Sequence, residues 1–161
     1  MHAQRAFLVS TVLAMFVAGT ATAATGAPER GSFDNGYESF VDTEVCAAAP
    51  WQFDVHATQH EFGTYEVWFA GGEFVRAIVH WNYDGTISAN GKTIVERDTW
   101  TSLVDADGSR NVGLTVHIQG PGGIVVRDAG RVTRDSDGNL QVVNGPHEQL
   151  FGESFCPAIA P

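Results

Sequence analysis

Between Trp51 and Val143, apolar and polar residues alternate with a period of two, in runs of about 5 to 12 residues cut by Gly, Asn and Asp. Side chains of a strand point to opposite faces in turn, so such a chain folds as sheet with one face buried and the other wet. Val112, Leu114, Val116 and Ile118 give the cleanest run, set against Asn111, Gly113, Thr115, His117 and Gln119. Val75, Ala77, Val79, Trp81 and Tyr83 share a face of the longest one, Glu73 to Tyr83. Trp51, Phe53, Val55 and Ala57 make a third face, and Tyr65, Val67 and Phe69 a fourth. No helical periodicity competes with these after residue 24.

Turn signals divide the runs. Glu61-Phe62-Gly63, Gly71-Gly72, Asp84-Gly85, Asn90-Gly91, Asp107-Gly108, Gly120 to Gly123 and Asp137-Gly138 punctuate the chain. Asn-Gly and Asp-Gly suit two-residue hairpins because both central positions tolerate positive φ. Further strands are read at Thr86 to Ala89, Lys92 to Val104, Ile124 to Arg134 with a bulge at Gly130, and Leu140 to Val143. The expected fold is all-β, an antiparallel meander of about seven to eight strands closed as a barrel, which removes exposed edges; a two-sheet sandwich is the alternative.

The chain opens with Arg5 before an apolar stretch from Ala6 to Gly19 and ends that stretch in Ala21-x-Ala23. This is the order of a cleavable secretory signal, and the run falls short of the roughly 20 residues that span a bilayer. Residues 1–23 are therefore read as signal peptide, 24–45 as a partly ordered N-terminal arm with a candidate first strand at 37–45, 46–157 as a single β domain and 158–161 as a tail. The expected location is extracellular. Only Cys46 and Cys156 are present, so an oxidising compartment implies one bridge between them.

The formal net charge is -10, and loss of the leader removes Arg5 and no acid, taking it to -11. An acidic surface repels phosphate backbones and anionic lipids, which argues against nucleic acid or membrane as partners of the mature chain.

The leader, the Ser32-Phe33-Asp34 arm, Cys46 ahead of the main strands, Arg127-Asp128-x-Gly130-Arg131-Val132 and the terminal Phe155-Cys156 together resemble small secreted all-β proteins of actinobacterial type, lipocalin-like or allene-oxide-cyclase-like in appearance. Ala49-Pro50-Trp51 stands where lipocalins usually carry Gly-x-Trp. The resemblance implies a barrel with a lumen and carries over no catalytic residue.

Chemistry-bearing residues are few. His56 and His60 have the spacing that chelates zinc on a helix, but on a strand they stand about 13 Å apart, and no Glu follows His56 as a metalloprotease motif requires. Asp105-Ala106-Asp107-Gly108 and Asp135-Ser136-Asp137-Gly138 begin like calcium loops, yet the glycine arrives too early, so they read as hairpin turns. No metal or cofactor is implied. The strand from Lys92 to Val104 is anomalous: one face carries Val95, Arg97 and Leu103, the other Ile94, Glu96, Asp98, Trp100 and Val104. Val126 likewise shares a face with Asp128. A charge pointing inward must be paired, and Arg97 with Asp128 or Glu96 with Arg131 are the expected pairs.

The functional expectation is a secreted, non-enzymatic barrel that binds a small apolar or amphipathic ligand in its lumen, with Arg97, Asp128, Glu96, Arg131, His80, His117 and Trp100 as the lining candidates. A protein-interaction module using an exposed sheet face is the alternative. An isomerase or hydrolase ranks third and needs His80 or His117 to meet a carboxylate in one pocket.

Overall fold

The computed structural model describes residues 27–145 and 154–161. The leader at 1–23 lies outside the described residues, as do His147, Leu150 and Phe151. Seven strands follow in chain order: β1(Glu29–Asp42), β2(Val55–Ala70), β3(Glu73–Ala89), β4(Lys92–Asp105), β5(Gly108–Gly120), β6(Gly123–Asp135) and β7(Leu140–Asn144). A single turn of helix, α1(Cys156–Ile159), closes the chain. Every strand pairs antiparallel with its neighbours in sequence, so the sheet order is β1-β2-β3-β4-β5-β6-β7. Among the described residues no ladder joins β1 to β7. The all-β meander is thus one open sheet, neither two stacked sheets nor a hydrogen-bonded closed ring.

Three sequence-based boundaries are corrected. Gly63 and Gly85 were expected in turns, but β2 and β3 run straight through them, 16 and 17 residues long. A side chain at Gly63 would strike the His80 carbonyl and the Phe33 ring, and one at Gly85 would strike the Tyr83 ring. These glycines are therefore close-approach positions rather than chain reversals. At the N-terminal end, β1 begins at Glu29, ahead of the expected 37, and the arm is paired with β2 down to Asp42↔Val55.

One face of the sheet is consistently buried. On β3 it carries Ala77, Val79, Trp81, Ile87 and Ala89, the parity expected for Ala77 to Trp81. On β5 the expected face is wrong at one end. Val116 and Ile118 are buried but Val112 is exposed, because the register shifts between Leu114 and Val116. The extra residue, Thr115, flips the parity, so Val112 and Leu114 face out and Val116 and Ile118 face in.

The inner face is layered. One end holds Val55, Ile87, Ile94, Val116, Ile118 and Val126, covered by Trp51 and Phe53 from the segment 43–54 and by Phe155 and Ile159. Cys46 and Cys156 are bonded there, with Cα atoms 5.9 Å apart and a separation of 110 residues. Asn90 Nδ2 donates to the Ile159 carbonyl at 3.0 Å, and Lys92 Nζ donates to that of Ala160. Residues 158–161, expected as a tail, therefore include a core side chain: Ile159 is fully buried. The other end is aromatic, with Val67, Val79 and Trp81 packed against Phe33, Tyr65, Phe69, Phe74 and Trp100. Trp81 stacks on Trp100 at 5.5 Å between centroids and meets the edge of Phe33 at 4.8 Å.

Candidate functional site

Between the two apolar layers the inner face carries acids. Glu61 on β2, Glu96 and Asp98 on β4 and Asp128 on β6 are 8%, 2%, 6% and 3% exposed. The ladders set Glu61 opposite Tyr83, Tyr83 opposite Asp98, and Gly85 opposite Glu96. Asp98 Oδ1 accepts the His117 backbone N–H at 2.6 Å, at the bulge where β5 leaves a donor unmatched by the ladder. Glu61 Oε2 accepts from Asn35 at 3.4 Å. Glu61, Tyr83, Glu96, Asp98 and Asp128 all make further interactions, so the belt is an engaged polar girdle across the sheet. Such engagement is what makes buried carboxylates tolerable.

The lining candidates do not converge. Glu96, Asp128 and Trp100 face inward, while Arg97 and Arg131 are exposed on the outer face. The expected pairs Arg97 with Asp128 and Glu96 with Arg131 are therefore separated by the sheet itself, since adjacent residues of a strand point to opposite sides. Arg97 instead approaches Asp84 at 3.9 Å. His80 and His117 also lie outside: His80 Nδ1 bonds Thr101 at 2.9 Å and His117 Nε2 bonds Gln119 at 3.2 Å. Both rings lie on the face opposite the inward acids, although the His117 backbone N–H bonds Asp98, so the strands do not bring these two imidazoles and those carboxylates into one pocket. The acidic turns use their carboxylates on the backbone. Asp105 Oδ1 accepts from the Asp107 N–H, and Asp135 Oδ1 from those of Asp137 and Asn139. The amide donors on Asp135, first that of Asn139, hold its carboxyl below the usual carboxylate range.

A second constellation lies on the outer face of β1, β2 and β3, and sequence reasoning missed it. Tyr37 pairs with His60 across the β1–β2 ladder, and Phe62 follows two residues on, on the same side. Their rings form a continuous stack, with centroids 4.5 Å apart from Tyr37 to His60 and 4.8 Å from His60 to Phe62. Tyr37 ends the stack and is 76% exposed. Asp34 Oδ1 meets His60 Nε2 at 2.7 Å and also accepts the Gly36 N–H, and these bonds lower the Asp34 pKa. A shallow, open hollow of about 260 Å³ lies to one side, lined by Ser39, Phe40, Val41, His56, Thr58 and Thr86. Another, of about 550 Å³, is lined by Ser32, Asp34, Phe62, Thr64 and Asn82. The signal for this site was the alternation Tyr37, Ser39, Val41, but pairing it with His60 and Phe62 requires β2 to be continuous through Gly63.

Among the described residues no helix is long and apolar enough to cross a membrane, and no group of His, Cys, Asp and Glu has a metal-binding arrangement. Compared with known protein families, with curated proteins and with solved structures, the chain finds no match.

Proposed function

We propose that this is a secreted, non-catalytic module that binds another protein through the outer face of β1, β2 and β3. The Tyr37–His60–Phe62 stack carries the reading. A row of rings that ends in an exposed tyrosine, flanked by hollows, is the kind of surface where tyrosine supplies a rigid anchor at low entropic cost. Asp34 and Asp84 border it, and the chain as a whole carries a net charge of -10, so the complementary partner surface is basic. Export follows from the leader, and the bridged cysteines agree with an oxidising destination.

The test is a titration of the partner recovered from the surrounding medium against purified variants. Tyr37→Ala weakens binding by at least about tenfold, whereas His117→Ala, on the outer face of β5, leaves it within about twofold. Equal affinity of both variants refutes the reading. A second reading, a small amphipathic ligand inside a sheet whose edges close into a barrel, draws on the inward acids beside Trp81 and Trp100. The lipocalin-like resemblance also supports it. Quenching of Trp81 and Trp100 fluorescence by an added fatty amine, unchanged in Tyr37→Ala, would favour it.

A further inference from the structure

We infer that the free edge of β1 accepts an extended, basic segment of the partner as an additional strand of the sheet. The inference rests on the surface-binding reading above and specifies how the partner is held.

β1 is 14 residues long and pairs on one side only, with β2. Along its other edge, among the described residues, backbone N–H and C=O groups meet no strand, which makes a template for strand addition. The register shift between Asp34 and Tyr37, with Gly36 at φ +70°, divides this edge into runs 29–34 and 37–42. Each matches the common strand length of about five to six residues.

Charge selects the occupant. Glu29, Glu38 and Asp42 lie along one side of the strand and Asp34, bonded to His60, on the other, and its only base, Arg30, is held by Glu66 at 2.9 Å. Two copies of this edge would bring two rows of carboxylates side by side, a repulsion that disfavours such a strand pair. A second copy is thereby disfavoured and a segment of positive charge favoured. The outer-face hollows supply specificity. Alternate side chains of an added strand point the same way as Ser32 and Asp34 in one run and Tyr37, Ser39 and Val41 in the other. These side chains fall beside the two hollows, while the alternate set, on the opposite side, meets Glu29, Glu38 and Asp42, which places the basic residues there and the apolar ones against the outer face.

The probe is a ten-residue peptide alternating lysine and valine, used with its glutamate–valine counterpart and with two versions N-methylated at odd or at even positions. Binding to the full mature chain is followed by amide chemical shifts and by hydrogen exchange. An added strand bonds through one edge of the peptide. One methylation phase therefore loses affinity by at least about tenfold, the other by less than about twofold, and alternate β1 amides exchange more slowly. Glu38→Lys weakens the lysine peptide and the glutamate peptide does not bind. If both methylated peptides bind alike, with shifts at Tyr37, His60 and Phe62, strand addition is overturned while the surface reading stands. If no shift appears on the outer face of β1 to β3, both fall.

Discussion

Gly63→Ala puts the continuity of β2 to a quantitative test. A Cβ built at Gly63 lies 2.0 Å from the His80 carbonyl oxygen and 2.9 Å from the Phe33 ring, against an ordinary contact of 3.4 Å or more. Phe33 can rotate by the few tenths of an ångström it needs, but His80 belongs to the β3 backbone that pairs with β2. Relieving that contact takes about 1.4 Å of movement, which the ladder absorbs only by stretching hydrogen bonds near Gly63↔Trp81. Overpacking of this kind costs about 1–3 kcal/mol and a lost ladder bond about 1 kcal/mol more. Alanine recovers about 0.5–1 kcal/mol by restricting the unfolded chain. The expected net loss is about 1–3.5 kcal/mol, read as a fall of about 0.7–2.3 M in the urea midpoint at an m-value of about 1.5 kcal/mol/M. Gly122→Ala is the control, since its Cβ would meet nothing within 4 Å at an ordinary backbone angle. It should stay within about 0.5 kcal/mol of the parent. A Gly63→Ala midpoint equal to that of Gly122→Ala would refute the close approach and restore Gly63 to a turn.

Three further outcomes follow from the packing. Replacing both cysteines by serine removes a closure spanning 110 residues and costs about 4–5 kcal/mol in the chain-entropy model, measured by denaturant unfolding with and without reductant. Ile159→Ala costs about 2–5 kcal/mol by the same assay, whereas a loose tail would show no change. The folded pKa of Asp135 is depressed below 3.8, so its contribution is complete above that pH and is lost as the pH falls through the depressed value. Side-chain amide signals of Asn139 and Gln141 should shift in that acid window, and Asp135→Asn should abolish the transition.

The all-β meander, the hairpins at Asn90-Gly91 and Gly71-Gly72, and the bridge were legible because each depends on local chemistry: alternation, positive φ, or the only two thiols. Gly63 and Gly85 were misread because glycine marks both a reversal and a place where another group needs the space of a Cβ. Only the position of Phe33 or Tyr83 in space separates the two. Val112 was misplaced because an inserted residue reverses parity without altering the apolar pattern on either side. The outer stack was hidden for a compound reason. Tyr37 sat in an arm expected to be only partly ordered, and Phe62 lay within, and His60 just before, the expected turn at Glu61-Phe62-Gly63. The inward acids of β4 were visible as an anomaly, but their partners across the sheet depend on register, which no single strand encodes.

The bridge has a consequence for the life of such a chain among proteases. Residues 46 to 156 form a covalent loop, so one cut at an exposed hairpin tip, such as Pro121-Gly122, leaves a nicked molecule in a single piece until its sulfurs are reduced. β1 lies outside that loop. A cut in the stretch between Asp42 and Cys46 would leave the strand bearing Tyr37 held by noncovalent contacts alone, so the segment proposed to meet the partner is also the one that proteolysis can shed.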